Sequence, residues 1–208
     1  MENFLDEAEH SVLLEWVLEN RERFRPASVI DEGATVVDPK VRQALTLREF
    51  DGELGWLCER FSAVQQRLID SLRLTVPPIE SLEVELAAHG DGAHFAPHLD
   101  IPVGAAREPR GGRPKRSDDR LISAVYYFYR EPKPFTGGHL RLYPLGSEAK
   151  EPNDDAGSYI DVEPTQNTLV AFPSWATHEV REIRCPSGDF ADYRFAVNCW
   201  YCGQFKSG

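Results

Sequence analysis

The spacing of apolar residues changes at Pro77 and Pro78, and this change sets what the chain can fold into. Before the prolines, apolar residues recur every three or four positions; after them, they alternate. The first pattern lines one side of a helix, and the second lines one face of a strand. Leu5, Ala8, Val12, Trp16 and Val17 predict a helix over about 4–24, ended by Pro26. Leu54, Leu57, Phe61, Val64, Leu68 and Leu72 predict a second over about 53–73, with Asp51 as its cap. Beyond Pro78, Leu82, Val84 and Leu86 face one way and Glu83 and Glu85 the other. Further strands are predicted at 121–129, 139–143, 159–162, 168–172, 178–183 and 193–200. Gly137-Gly138, Pro144, Pro164 and Pro173 punctuate them.

Many short strands at this spacing predict a sandwich or double-sheet barrel, with the two helices covering the outer face of one sheet. A length of 208 residues suits a single domain over 1–208. Its helical support region is expected at 1–78 and its strand-built core at 79–203. Two polar loops are expected. One, at 102–120, carries Arg107, Arg110, Arg113, Lys115, Arg116 and Arg120; the other is at 146–158.

A net charge of -11 argues against a general nucleic-acid binder, so no nucleic-acid partner is expected. No apolar run approaches the roughly 20 residues of a membrane span. The acidic start MENFLDEAEH is unlike a signal peptide, and the expected location is cytoplasmic. Four cysteines make no disulfide framework. Cys199 and Cys202 form a CxxC, but on a strand positions three apart face opposite ways, so the pair is read as structural.

The chemistry gathers around His98-Leu99-Asp100. On an extended segment these outer residues point the same way, bringing an imidazole and a carboxylate together. Two histidines and one carboxylate on one face of iron(II) leave three positions open, enough for dioxygen and a bidentate co-substrate. His178, delivered by the turn Phe172-Pro173-Ser174-Trp175-Ala176-Thr177, is the candidate third ligand. Arg194 sits in an otherwise apolar strand. A buried guanidinium wants a carboxylate, either on a bound dicarboxylate or on an internal acid.

The order of HxD, Gly137-Gly138, Phe172-Pro173-Ser174, His178-Glu179-Val180 and Arg194 ahead of an apolar-aromatic strand is distinctive. In it the chain resembles the prolyl 4-hydroxylase-like branch of the Fe(II)/2-oxoglutarate-dependent dioxygenases, over about 82–201. The resemblance implies a mainly β fold: a double-stranded β-helix (a cupin-like jelly roll) packed against N-terminal α-helices. It implies Fe(II) at His98, Asp100 and His178, with Arg194 gripping the distal carboxylate of 2-oxoglutarate. It implies a tyrosine beside that carboxylate. Tyr127 shares a face with Val125 and Tyr129, whereas Tyr126 points away, so Tyr127 is favoured, subject to register. The implied reaction hydroxylates an unactivated C–H bond and releases succinate and carbon dioxide, with dioxygen as oxidant and ascorbate as a candidate reductant. Related halogenases lack the carboxylate that Asp100 supplies, which favours hydroxylation. The expected substrate is a prolyl residue of a peptide or protein; a free amino acid or other small metabolite is the alternative.

The chain departs from that pattern in two places. The stretch 184–192 is long, which leaves Arg181 and Arg184 as rivals to Arg194. Ala88-His89 stands where relatives often place a tyrosine, with His89 as a replacement donor. His94 lies four before His98, but Gly90, Gly92 and Pro97 oppose a helical zinc pair, so it is expected on a pocket wall or the surface. His139 is expected not to ligate, and His10 has no evident partner. Two rival classes remain: a cupin-like zinc hydrolase using the same ligands, and a non-catalytic β-sandwich binding module, which leaves the metal-ligand set unexplained.

Overall fold

The structure, a computed structural model, describes residues 1–31, 34–50, 52–101, 120–144 and 158–204. Asp6 starts the first helix, α1 (Glu7–Glu19): its side chain accepts from the Glu9 amide while Glu9 reaches back to the Asp6 amide. The helix stops sooner than its apolar spacing suggests. Asn20 caps it by donating to the Trp16 carbonyl, and Arg21–Arg23 continue as a single 3-10 turn. Leu13 and Val17 are its buried residues, and Val12 is instead 51% exposed. The second helix, α2 (Gly55–Leu72), begins at Leu54 without a side-chain cap; Asp51, its expected cap, lies outside the described residues. It buries Leu57, Phe61 and Leu68 and ends at Arg73 in the left-handed conformation. No described helix is long and apolar enough to cross a membrane.

The region between the helices differs from the helical expectation. It holds β1 (Arg25–Pro26), β2 (Val29–Asp31), β3 (Ala34–Val36), β4 (Arg42–Gln43) and β5 (Leu45–Leu47). Strands of two or three residues are too short to show a period, and partners distant in sequence complete them. After α2 come β6 (Ser81–His89), β7 (His94–His98), β8 (Arg120–Phe128), β9 (Thr136–Gly137) and β10 (Leu140–Leu142). Then follow β11 (Ile160–Val162), β12 (Thr168–Pro173), β13 (His178–Val180), β14 (Ile183–Arg184) and β15 (Arg194–Cys202). The single strand expected over 178–183 is thus two short ones.

The larger sheet has the order β1-β5-β6-β15-β8-β12 and the smaller β11-β10-β13-β7-β4; their pairings are antiparallel. From β6 onward the chain passes repeatedly from one sheet to the other, which is the winding of a jelly roll. β14-β9 and β2-β3 form two-stranded ribbons beside it.

Alternation along the larger sheet sorts its side chains. Leu86 and Ala88 of β6, Ala124, Tyr126 and Phe128 of β8, and Phe195, Val197, Cys199 and Tyr201 of β15 pack against both helices in one core. Phe61 anchors that core, fully buried, and its carbonyl accepts from the Tyr201 hydroxyl at 2.8 Å. The intervening residues point the other way, into the space between the sheets. These are Glu83, Glu85, Ala87 and His89 on β6, Ser123, Val125 and Tyr127 on β8, and Arg194, Ala196, Asn198 and Trp200 on β15. The charged face of β6 is therefore the inner face of the roll.

Candidate metal centre

β7 and β13 pair with His98 directly opposite His178, which sets the two imidazoles side by side with ring centroids 4.1 Å apart. Asp100 lies in a bend just beyond β7, where its amide donates to the Ser174 carbonyl at 3.1 Å. One carboxylate oxygen lies 3.7 Å from His98 Nε2 and the other 3.6 Å from His178 Nε2. Among the described residues these three form the one cluster able to hold a metal, with a ligand atom from each within 4.8 Å of the others.

The backbone dictates which nitrogens are free. His98 Nδ1 lies 2.9 Å from the Ala96 carbonyl, and His178 Nδ1 lies 2.9 Å from the Ala176 carbonyl. A carbonyl only accepts, so each Nδ1 donates, and each Nε2 is the nitrogen that faces Asp100. Phe95 stacks on His98 at 3.5 Å, and Phe172 packs against His178 at 4.6 Å, so neither ring is free to turn. Burial, then the neighbouring His178 ring, lowers the His98 pKa and keeps its imidazole neutral. Burial pushes the Asp100 carboxyl up, but His178, His98 and the hydrogen bonds from Ser123 and Trp200 outweigh it and hold the carboxylate ionised. The neutral His98 imidazole and the ionised Asp100 carboxylate are in the forms in which they ligate a divalent metal.

Arg194 begins β15 on the same inner wall and is 1% exposed. Among the described residues no carboxylate lies within salt-bridge distance of it, so the internal ion pair that would explain it is absent there. One Nη donates to the Gly138 carbonyl at 2.6 Å, and its Nε has no partner. Gly138 takes a positive φ of 70°, and a Cβ there would press on Ile183 at 2.7 Å and on Arg194 Cδ at 3.4 Å. The rivals do not share this setting: the side chains of Arg181 and Arg184 are 43% and 78% exposed. A buried guanidinium left without an acid, on the wall that also carries the triad's supports, fits a site for a dicarboxylate that also reaches the metal.

Residues 84–202 match the family model of the 2OG-Fe(II) oxygenase superfamily. The chain belongs to that superfamily. The family implies iron(II), 2-oxoglutarate and dioxygen as cofactors, and the donor set and Arg194 suit them. The oxygenase is 29% identical over 203 residues to an uncharacterized PKHD-type hydroxylase of Synechocystis, covering 96% of this chain and 61% of that one. Its fold is similar to the crystal structure of a Pseudomonas putida prolyl-4-hydroxylase, with TM-score 0.63 and 22% identity over 98% of this chain and 91% of that one. It is also similar to a Trichoplax adhaerens prolyl hydroxylase solved in complex with a hypoxia-inducible-factor peptide fragment, with TM-score 0.67 and 20% identity over 97% and 81% of the two chains.

The remaining expected residues fall as follows. Tyr127 is buried, with its ring centroid 5.2 Å from the Arg194 guanidinium. Burial pushes its phenol up, against the opposing pull of Arg194, so the hydroxyl keeps its proton and can donate. Tyr126 points to the helices, where its hydroxyl lies 2.8 Å from His10 Nδ1 and donates to Asn167 at 3.1 Å. His10 thus has a partner after all. Both nitrogens of His94 lie by backbone carbonyls, of Gly92 and Lys40, outside the triad. The four cysteines form no disulfide, and burial pushes the Cys199 thiol up. Of the arginine-rich loop, only Arg120 lies within the described residues.

Three further residues support the site in roles that the sequence reading did not give them. Ser123 donates to Asp100 at 2.6 Å and lies 2.9 Å from the Ser174 hydroxyl, orienting the carboxylate. Arg120 pairs with Glu83 at 2.8 Å and lies over the Trp200 ring at 3.7 Å, close to the Asp100 carbonyl. Glu85, fully buried, takes Arg42 at 2.6 Å and Arg48 at 2.7 Å. The signal available in the sequence was a polar residue on an otherwise apolar strand, which Ser123 and Glu85 both are.

Proposed function

We propose that this oxygenase hydroxylates an unactivated C–H bond of a prolyl residue in a peptide or protein. In the same reaction 2-oxoglutarate is converted to succinate and carbon dioxide. His98 Nε2, His178 Nε2 and Asp100 hold iron(II). The bound iron supplies the activation of dioxygen. Arg194 takes the far carboxylate of 2-oxoglutarate, with the Tyr127 hydroxyl as a further donor beside it. Ser123 holds Asp100 in its ligating orientation. Val125, Val170, Leu140 and Phe172 cluster between the sheets and keep water from that space. Ascorbate, as a reductant keeping the iron in its ferrous form, belongs to the same proposal.

The observation that carries this reading is Arg194, buried and without an acid among the described residues, on the wall that bears the supports of a two-histidine, one-carboxylate triad. A zinc hydrolase would leave that arginine without a task. The prolyl substrate is supported by the two similar folds, both of which belong to prolyl hydroxylases. The test is to supply iron(II), 2-oxoglutarate, ascorbate and air together with a panel of proline-containing peptides, and to measure succinate and peptide mass. Succinate formed in step with the gain of one oxygen on a prolyl residue is expected. Coupled turnover confined to free amino acids or other small molecules would move the substrate to that class.

A further inference from the structure

We propose that Ile160, with Leu142 beside it, forms a specificity subsite for an apolar side chain of the substrate polypeptide, about three residues from the prolyl residue that is oxidised. This rests on the prolyl polypeptide reading above and extends it from the metal to the rim of the roll.

Strand register carries the inference. His98 pairs with His178, His178 with Leu142, and Leu142 with Ile160, so the four form one row across the smaller sheet. Directly opposed residues of antiparallel strands share a face. That face carries the two imidazoles of the triad, so Leu142 and Ile160 stand on it too. Each of the four is terminal in its strand: His98 ends β7, His178 begins β13, Leu142 ends β10 and Ile160 begins β11. The row therefore runs along one end of the roll, from the metal site to the edge strand β11.

The next row inward is filled. Leu140 pairs with Val162, and both pack with Phe172, Ala176, Val125 and Val170 between the sheets. Leu142 is half-buried against that cluster, whereas Ile160 is 67% exposed. A lone exposed isoleucine needs no explanation, but this one continues a row that starts at the metal ligands. It is also fixed in place. On the opposite face, Arg141 donates to both Asp161 oxygens at 2.7 and 2.8 Å and lies over the Tyr159 ring at 3.6 Å. With both neighbours held outward, alternation turns the Ile160 side chain inward, over the end of the roll.

Reach decides what the row can take. From His178 to Ile160 are two strand spacings, about 10 Å, and an extended chain advances about 3.3 Å per residue. A free amino acid held at the metal does not span that gap. A polypeptide does, and it lays a side chain about three positions from the prolyl residue on Ile160. The surface offered by Leu142 and Ile160 is aliphatic, so an aliphatic side chain gains by burial there.

The test supplies the full-length protein with iron(II), 2-oxoglutarate, ascorbate and air. The substrates are short peptides with a central proline and a single leucine walked through each flanking position on a serine background, beside the leucine-free peptide. The kcat/KM of each is read from peptide mass. Leucine about two to four positions from the proline, on one side of it, is expected to raise kcat/KM roughly 10- to 100-fold, the worth of burying one leucine side chain. Ile160→Asp is expected to erase that preference and Ile160→Leu to keep it. Both variants are expected to bind iron(II) and 2-oxoglutarate as the parent does in anaerobic titration, a readout independent of turnover. A preference that survives Ile160→Asp, or peptide turnover with no preference at these positions, would overturn the subsite alone. Succinate formation coupled only to free amino acids or other small molecules, with every peptide refused, would overturn the prolyl polypeptide reading, and the subsite with it.

Discussion

Removing the Glu85 carboxylate should expose how much of the fold depends on an ion pair inside the roll. Glu85 is fully buried, and its two oxygens are taken by Arg42, which is 9% exposed, and Arg48, whose side chain is 60% exposed. In Glu85→Leu the volume is nearly kept, but Arg42 is left as a buried charge without an acid. Breaking one side of such a pair costs about 3–5 kcal/mol. The Arg48 contact is largely solvent-screened and adds about 0–1 kcal/mol. For a chain of this size the melting temperature should fall by roughly 6–24 °C. Arg48→Ala should barely move it. The double variant Glu85→Leu with Arg42→Met should regain most of the loss, because an apolar pair of similar volume replaces the ionic one. Acidity gives a second reading. Burial pushes the Glu85 carboxyl up, while Arg42 and Arg48 outweigh it and leave it below its ordinary value. A carboxyl depressed in the folded state stabilises fully above its unfolded pKa of about 4.3, and that share is lost as pH falls through the lower folded value. The gap between parent and Glu85→Leu should thus be full at pH 7 and shrink below about pH 4. Thermal melts across pH would read both. A single variant melting within a degree of the parent at pH 7, or a double variant less stable than the single, would refute the reasoning.

Other expected outcomes follow from the same geometry. Arg194→Ala should weaken 2-oxoglutarate by about 2–5 kcal/mol while sparing iron, as read by titrating each ligand separately. Ser123→Ala removes the 2.6 Å bond to Asp100 and should weaken iron binding roughly tenfold without changing 2-oxoglutarate selectivity, measured by competition with a metal-sensing dye. A thiol-alkylating reagent should leave buried Cys185, Cys199 and Cys202 unmodified in the native protein and label all four cysteines after unfolding, read by mass spectrometry. Rapid labelling of Cys199 and Cys202 would contradict their structural role.

The parts of the fold legible in the sequence are those set by local periodicity. The apolar stripe Leu57, Phe61 and Leu68 is the buried face of α2, and alternation along β8 separates Tyr127 from Tyr126. β4 and β5 were hidden because strands of two or three residues show no period. Glu85 shows the same limit in another form. Alternation places it opposite Leu86, but only the pairing with Arg42, 43 residues away, reveals that the opposite face is the interior. The triad was legible because three residue types with one shared chemistry recur in a family order. Ser123 was not, because a serine in a strand carries no signal until Asp100 is placed beside it.

The central claim, that His98, Asp100 and His178 hold iron(II) and Arg194 holds 2-oxoglutarate, is most directly tested by anaerobic titration of the metal-free protein with both. The readout is the visible iron-to-2-oxoglutarate charge-transfer band. The account predicts a band in the parent, its loss in His178→Ala, and its recovery in Arg194→Ala only at much higher 2-oxoglutarate. No band in the parent with iron and 2-oxoglutarate at saturation would contradict it.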